Sequence, residues 1–477
     1  MSEMVLALYD CRSKQEYIYR TNRIREISGG SALLADVYKR FIEKAQENGI
    51  TFMNGGEWKD KIFSRSDFEA SDKAAEVVYI GGGNLMILYK NMDLYIKANR
   101  LFSRMLLDET WTITAIAACT PVTGDFKEDR KKLYAQNALN KSTGNISVPC
   151  SVLPFTQVDM LTYMPIVEKN KYKQESLSRE SICKYKAEED IEKSDLYAGE
   201  LDRLCADKGR ESLLAIIYID GNNMGAKLMN RLGEMTDYDE CINELRRFSV
   251  QTNSDFVGKP IDAIEALLSE KQKQGIKYAR YRKVIAGGDE ITLIVNARLV
   301  PEILDVYFRT LDSAKSGNYA CAGVAIFHFH APFADVYEIA EQCCESGKTP
   351  SRKYNSDANF IDFHFCRAGI TNDMETVRSE QEKGLTARPY RFDGEHGGYS
   401  FGEFISFGRQ LKEIGRANIK ELASAMIKGN SYYRFEMERI NSRFKLHLDP
   451  KADKTKRMIF DIAQVYDLWF AGEEEAE

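Results

Sequence analysis

The sequence lacks several features that would assign it to a large class of proteins. No apolar run in its 477 residues approaches the length needed to cross a bilayer. Residues 1–10 lack the basic segment of a secretory signal and enter a strand-like run at once. The 10 cysteines include no Cys-x-x-Cys pair, which leaves a structural zinc site without support. We therefore expect a cytoplasmic protein with neither a membrane span nor a zinc ribbon.

Excess positive charge is also absent. The chain has 66 lysines and arginines against 72 aspartates and glutamates, a net charge of −6 at pH 7. This balance argues against a protein that coats nucleic acid by charge alone. The hydrophobic content of 44% and charged content of 29% are typical of soluble globular proteins. A chain of 477 residues is expected to form two or three domains.

The most informative stretch is an acidic turn between two apolar runs in residues 284–295. The turn has the sequence Gly287-Gly288-Asp289-Glu290, and its flanks predict a β-hairpin in which the glycines supply positive φ angles. Adjacent carboxylates between buried strands are costly unless a cation accompanies them, and a divalent metal is the usual solution. We therefore interpret this turn as the chemical centre of the protein.

Three landmarks of the N-terminal part recur later in the chain at nearly one offset. A strand-like run ends in an aspartate, a glycine-rich hairpin follows, and a helix then ends in a lysine. The offsets are 210 residues for Asp10 and Asp220, 206 for Gly81 and Gly287, and 207 for Lys141 and Lys348. Such regularity predicts two copies of one domain.

Each copy has the order strand, helix, hairpin, helix, with room for a last strand, which is the βαββαβ order of ferredoxin-like domains. The predicted fold class is therefore α+β, with two such domains. In this fold the first strand lies beside the hairpin, so Asp220 and Asp289 would be neighbours. The predicted divisions are a first domain at 1–150, a solvated, charged helical linker at 151–210, a second domain at 211–372 and a helical domain at 373–477.

The second copy carries the side chains of a metal-dependent catalyst. Asp220, Asp289 and Glu290 provide oxygen ligands for one or two Mg²⁺ or Mn²⁺ ions, and we predict that these three residues are both metal ligands and catalytic residues. Two such ions stabilise the attacking and the leaving oxygens of a phosphoryl or nucleotidyl transfer. The pattern predicts a palm-type nucleotidyltransferase. The alternative without catalytic function is an acidic hairpin at the protein surface.

Further residues are candidates for binding a nucleoside triphosphate. Lys348 would bind phosphate oxygens as a point charge. Three glycines would let phosphate approach the backbone closely: Gly221, Gly287 and Gly288.

The first copy departs from the second at the turn. It has Gly83-Asn84 where the second has Asp289-Glu290, and Asp10 alone cannot replace three carboxylates. We predict that the first copy is catalytically silent. It either holds a second nucleotide, with Gly30, Ser31 and Lys141 as candidates, or these residues serve the structure alone.

Three motifs resemble the large, polymerase-like subunit of type III CRISPR effector complexes, the Cmr/Csm large-subunit family. They are Tyr218–Gly225, Gly287–Glu290 and Gly29–Leu34, and the resemblance covers roughly residues 1–370. It implies synthesis of cyclic oligoadenylates from ATP and Mg²⁺ as an antiviral signal, two ATP molecules facing each other between the palms. The 3′-hydroxyl of one ATP would attack the α-phosphate of the other and release pyrophosphate. The implied partners are nucleoside triphosphates, effector subunits, crRNA and target RNA, with the chain acting as a complex subunit or a dimer.

The sequence departs from this family in several places. Its hairpin ends in Asp289-Glu290, as in GGDEF diguanylate cyclases, whereas the family usually has two aspartates, and Asn222 stands where many members have another aspartate. The chain begins directly in the first palm without an HD nuclease domain, so cleavage of single-stranded DNA is not expected. Two alternatives stay open: a GGDEF-like cyclic dinucleotide synthase, and a catalytically weak scaffold of an RNA-guided complex.

Overall fold

The computed structural model describes residues 3–143, 152–169, 176–191, 195–207, 211–366, 373–392 and 399–471. The strands are β1 Val5–Cys11, β2 Ala75–Gly81, β3 Asn84–Tyr89, β4 Ala115–Pro121, β5 Ile166–Lys169, β6 Ser176–Ser178, β7 Leu213–Gly221, β8 Tyr281–Gly287, β9 Glu290–Asn296, β10 Ala320–His328, β11 Phe360–Phe365 and β12 Tyr390–Arg391. The helices are α1 Lys14–Tyr19, α2 Ile24–Glu47, α3 Arg65–Ala70, α4 Met92–Thr110, α5 Phe126–Thr143, α6 Arg179–Glu189, α7 Met224–Gly233, α8 Tyr238–Asn253, α9 Lys259–Lys273, α10 Val300–Leu311, α11 Ser313–Ser316, α12 Phe333–Ser351, α13 Met374–Gln381, α14 Phe401–Gln410, α15 Arg416–Lys428, α16 Asn430–Phe444 and α17 Asp453–Trp469.

The chain forms two compact units that alternate along the sequence. The first comprises Met1–Lys193, Asn223–Gly258 and Val284–Asp289, and the second comprises Ser194–Asn222, Lys259–Lys283 and Glu290–Glu477. The contiguous domain boundaries expected from the sequence stay a prediction. None of the described helices combines the length and the apolar character needed to span a bilayer.

The first unit contains a four-stranded antiparallel sheet in the order β2-β3-β1-β4. With α2 after β1 and α4 after β3, this is the predicted βαββαβ arrangement. All seven residues of the central strand β1 are buried, as its nearly continuous apolar sequence requires. An aromatic cluster forms the core between this sheet and its helices, with ring centroids 4.7–5.5 Å apart among Tyr9, Phe41 and Phe102.

The second unit repeats and extends this arrangement. The six-stranded sheet has the order β12-β11-β10-β7-β9-β8, and all its strands lie in the second unit except residues 284–287 of β8. The inner four strands, β10-β7-β9-β8, match β4-β1-β3-β2 of the first sheet, which confirms the predicted duplication. Strand β11 pairs in parallel with β10 after the crossover helix α12, and β12 pairs with β11 at the edge. Among the residues that the structure describes, the first sheet has no counterpart of this two-stranded extension.

The segment predicted as a solvated linker contains a helix whose charged residues are buried. Helix α6 packs against α2, and Glu180, Lys184 and Glu188 are each at most 1% exposed. Lys184 donates to Glu180 at 2.7 Å, and Arg25 of α2 pairs with Glu188 at 2.7 Å. The prediction of a solvated segment is wrong for α6, because ion pairing lets charged side chains enter an interior that their composition alone disfavours.

Residues after 373 form the expected helical region, α13–α17. Its interior contains a buried ion pair covered by aromatic rings. The side chains of Arg388 and Asp461 are both fully buried, and Arg388 Nε lies 3.2 Å from Asp461 Oδ1. The Tyr390 hydroxyl donates to the same aspartate at 2.8 Å. Phe404 packs on Tyr390 with ring centroids 4.6 Å apart. This packing holds α17 against the short strand β12.

Candidate active site

Two carboxylates stand side by side at one end of the second sheet. Asp220, near the end of β7, pairs in antiparallel register with Glu290, the first residue of β9. Directly opposite residues on neighbouring strands have Cβ atoms roughly 5 Å apart. Both residues are partly exposed, whereas residues 214–219 of β7 are buried. Asp289 precedes Glu290 in the two-residue turn of the hairpin.

A lysine from helix α12 reaches the same sheet end, as the sequence predicted. The Lys348 ammonium group donates to a carboxylate oxygen of Asp220. Burial lowers the pKa of Lys348, but the Asp220 carboxylate raises it, and the net shift is upward. Lys348 is therefore a protonated cation near neutral pH. It is placed here because α12 packs on β10 and β7.

Two tyrosines near the carboxylates were given no role from the sequence, although Tyr218 begins one of the motifs noted there. The rings of Tyr218 and Tyr337 meet edge to face, 5.6 Å apart, and the Tyr337 hydroxyl donates to Glu290 Oε1 at 3.5 Å. Burial, then the charges of Glu290 and Asp220, raise the pKa of Tyr218, so it stays a neutral phenol. A signal for Tyr337 existed: it precedes Lys348 by 11 residues, three helical turns, which puts both on one face of α12.

The glycines of the hairpin have different roles. Gly288 has a φ of 65°, so it supplies the turn conformation expected of it. Gly287 does not have a positive φ, so that part of the prediction is wrong. A Cβ atom added to Gly287 would meet no atom within 4 Å. Gly221 pairs with Ala320 at the end of β7.

The first copy repeats the aspartate–lysine pair but not the acidic turn. Asp10 pairs in register with Asn84, and Lys141 forms an ion pair with Asp10, as Lys348 does with Asp220. Lys14 lies 3.5 Å from Asp10 and donates to the Gly83 carbonyl at 2.8 Å. A Cβ atom on Gly83 would overlap the Lys14 ammonium group. Lys14 therefore occupies the space that a counterpart of Asp289 would need.

The glycine–serine motif of α2 makes contacts within the first unit. The Ser31 hydroxyl donates to the carbonyl of Val284 in β8. A Cβ atom on Gly29 would overlap the backbone carbonyl of Lys184, so Gly29 permits the close contact of α2 with α6. Gly30 is buried in the same contact. Their structural roles are thus established, while nucleotide binding by Ser31 stays a prediction.

Asn222 is a structural residue rather than a weakened metal ligand. It is 3% exposed, and its Nδ2 donates to Ser351 Oγ at 3.1 Å and to the Ala358 carbonyl at 3.0 Å. Ser351 is the last residue of α12, one turn beyond Lys348. The amide therefore ties the end of β7 to the helix that carries the lysine. An aspartate could not donate these two hydrogen bonds.

We expect Asn222→Asp to destabilise the protein by about 2 kcal/mol, because it removes two donated hydrogen bonds and buries a charge. The free energy of unfolding, measured by urea denaturation, checks this value. Asn222→Gln is a control that keeps the amide but not its position. An aspartate variant with unchanged stability and a higher affinity for Mg²⁺ would contradict the structural role.

The acidic residues of this site are the candidates to hold a divalent metal ion. Within the described ranges, no three His, Cys, Asp or Glu side chains are grouped closely enough to hold one. Asp220 and Glu290 nevertheless provide adjacent hard oxygen donors, the type that Mg²⁺ and Mn²⁺ prefer. The Lys348 ammonium group already binds an oxygen of Asp220, which shows that a cation is accommodated next to this carboxylate. The residues fit such an ion in their chemistry.

Comparison with known proteins identifies the fold. No protein-family model and no curated protein matches the chain. Among solved structures, it is similar to a Csm1–Csm4 cassette in complex with pppApApA, at 14% identity and a TM-score of 0.57, over 97% of this chain and 69% of that one. A Csm1–Csm4 cassette in complex with cA4 matches at 15% identity and a TM-score of 0.52, with the same coverage. Csm1 from T. onnurineus matches at 14% identity and a TM-score of 0.54, again over 97% and 69% of the two chains. The chain therefore has the fold of Csm1, the large subunit of type III CRISPR effector complexes, which confirms at the level of the fold the resemblance seen in its motifs.

Proposed function

We propose that this chain is a metal-dependent nucleotidyltransferase that makes cyclic oligoadenylates from ATP. The observation that carries the proposal is the Asp220–Glu290 pair on neighbouring strands, with Lys348 bound to Asp220. The similar Csm1–Csm4 cassettes are complexes with pppApApA and with cA4, which supports adenine nucleotides as substrate and product. Those cassettes contain Csm4 beside Csm1, which supports a second subunit as partner. That the complex is guided by crRNA and directed at target RNA is part of the proposal.

The residues of the second copy have distinct roles in this proposal. Asp220 and Glu290, with Asp289 next to Glu290 in the chain, would hold Mg²⁺ or Mn²⁺. Such an ion supplies charge neutralisation at the reacting phosphate. Lys348 binds phosphate oxygens, and Tyr337 orients the Glu290 carboxylate through its hydroxyl group. A Cβ atom on Gly287 would meet nothing within 4 Å, which supports close approach of a phosphate to the backbone there. We propose the same role for Gly221 and Gly288, which also lack a side chain.

The first copy holds the second substrate molecule without reacting on it. Lys14 and Lys141 beside Asp10 provide cationic groups for phosphate, and Ser31 is a further candidate contact. The 3′-hydroxyl oxygen of one ATP bonds to the α-phosphorus of the other. The bond from that phosphorus to the bridging oxygen of the β-phosphate breaks, pyrophosphate leaves, and the hydroxyl proton passes to solvent. Repetition and a final closure give a cyclic product.

The test is incubation of the purified protein with each labelled nucleoside triphosphate and Mg²⁺ or Mn²⁺, with and without RNA. We expect ATP to give cyclic oligoadenylates and pyrophosphate, resolved by chromatography and mass spectrometry. Cyclic di-GMP as the sole product would instead establish a GGDEF-like synthase, which Asp289-Glu290 also resembles. Absence of turnover under every condition, including reconstitution with a Csm4-like subunit and RNA, would establish a scaffold.

A further inference from the structure

A short stretch of the first unit, residues 152–167, exposes an unusual amount of apolar surface. Seven large apolar side chains of this stretch are exposed, more than in any other stretch of the same length that the structure describes. The most exposed are Phe155 at 84%, Met160 at 73% and Tyr163 at 69%. Single apolar side chains are normal on a protein surface, but a concentration of this kind marks an interaction site.

The same stretch presents no charge to its surroundings. Its one charged residue is Asp159, whose side chain is buried. Residues 152–167 contain no lysine or arginine, so nothing in them attracts an anionic membrane surface. Tyrosine, methionine and phenylalanine are the residue types enriched at the cores of protein–protein interfaces, where charged residues are depleted. The composition therefore favours a protein partner over a lipid surface.

The backbone of the stretch forms a closed hairpin before any partner binds. Val158 and Pro165 form an antiparallel bridge between its two arms. At the tip, the Asp159 amide donates to the Met164 carbonyl at 2.8 Å, and the Tyr163 amide donates to the Asp159 carbonyl at 2.8 Å. A surface that is already ordered loses little conformational entropy on binding, which favours affinity.

The buried carboxylate of Asp159 holds this tip from the inside. It accepts hydrogen bonds from the Leu161 amide at 3.1 Å and from Thr162 Oγ1 at 3.0 Å. Ser181 of α6 donates to the same carboxylate at 3.5 Å, which ties the tip to the body of the first unit. Thr162 is buried with Asp159, while Met160 between them in the chain is exposed. The polar groups of the tip thus satisfy one another, and its apolar side chains lie outside.

The extent and the shape of this surface indicate the kind of partner. The exposed parts of the seven side chains correspond to about four whole side chains, or roughly 800 Å² at about 200 Å² each. One partner of a standard protein interface contributes about 800 Å². Exposures as high as those of Phe155 and Met160 occur on convex parts of a surface. Two convex hairpins from two copies of the chain would touch over only a small area, so the matching surface is concave and belongs to a different protein.

We propose that the hairpin of residues 152–167 binds the second subunit of the complex, by inserting its apolar side chains into an uncharged, concave surface of that subunit. The identity of this partner rests on the proposed function. The hairpin itself contains none of the residues assigned to ATP turnover. Loss of the contact and loss of turnover can therefore be measured separately.

The test measures binding of the full chain to a purified Csm4-like subunit by calorimetry. We expect Phe155→Glu and Met160→Glu each to weaken binding by at least about 30-fold, because each places an unpaired charge in an apolar contact. Both residues are exposed in the free chain, so both variants should fold, which circular dichroism checks. Ile62→Glu is the matched control: Ile62 also lies in the first unit and is 83% exposed, and this variant should bind as the unchanged protein does.

The other outcomes would overturn the proposal. Absence of binding to the subunit, or binding that Phe155→Glu and Met160→Glu leave unchanged, would show that the hairpin is not the contact. Self-association in sedimentation velocity that Met160→Glu abolishes would assign the hairpin to a second copy of the chain. Binding to phosphatidylcholine vesicles that Met160→Glu abolishes would assign it to lipid.

The proposed function is judged by a separate measurement. Subunit binding that depends on the hairpin, with no ATP turnover in the reconstituted complex, would support the contact and contradict the catalytic proposal. Turnover together with binding that the two variants leave unchanged would do the opposite.

Discussion

Replacement of Asp220 by asparagine is expected to lower ATP turnover by about 10³-fold, because it removes a charge from the centre where the reacting phosphates bind. The replacement leaves Lys348 without its carboxylate partner and Glu290 as the only acidic residue of the register pair. The rate of pyrophosphate release at saturating ATP measures the effect on the chemical step, and the dependence on ATP concentration separates it from binding.

Asp10→Asn is the matched control, because Asp10 is the counterpart of Asp220 and has its own lysine partner, Lys141. We expect this change to lower the maximal rate by less than about 10-fold and to act mainly on the affinity for ATP. The physical reason is that the first copy has Gly83 and Asn84 in place of the acidic turn, so its turn contributes no carboxylate to the reaction. Equal losses of maximal rate in the two variants would contradict a silent first copy.

The second large effect is expected at Gly29. Gly29→Ala should lower the free energy of unfolding by about 3 kcal/mol, since its methyl group would overlap the carbonyl oxygen of Lys184 and force α6 away from α2. Separation of these helices would also expose the buried pair of Lys184 and Glu180. Urea denaturation followed by circular dichroism measures the change.

The adjacent glycine provides the control. An added Cβ at Gly30 would lie 3.4 Å from its nearest neighbours, in Ile18 and Lys184, which is a tolerable contact. Gly30→Ala should therefore change the stability by at most about 1 kcal/mol, since alanine also favours the helix. If instead Gly30→Ala abolished ATP binding with stability intact, the motif would serve the nucleotide and not helix packing. Similar destabilisation by both variants would contradict the specific role of Gly29.

Much of the candidate site could be predicted because its elements repeat. The recurrence of Asp10 and Asp220 at the ends of apolar runs predicted the two palm-like domains and the central position of β7. The position of Lys348 followed from the same repeat, and the structure places it on Asp220. Repetition makes a weak local pattern informative, because two copies of one fold constrain each other.

Other roles could not be predicted because they depend on partners distant in the chain. Asn222 resembles a lost acidic ligand in the sequence, yet its amide binds Ser351 and Ala358, more than 120 residues away. The charged composition of α6 indicated solvent exposure, but Glu180 and Lys184 neutralise each other in the interior. The amino-acid composition shows that a segment is charged, but it does not show which residue of opposite charge pairs with each side chain.

The sequence by itself determined the duplicated βαββαβ order, the acidic hairpin and the hairpin of the first copy that lacks the two carboxylates. Strand period, turn residues and repeats can all be read directly along the chain. Only the tertiary structure decided that Lys14 fills the space at Gly83, that Tyr337 reaches Glu290, and that β11 and β12 extend the second sheet. These features arise where elements far apart in sequence pack together, and the contacts that define them exist only in the folded chain.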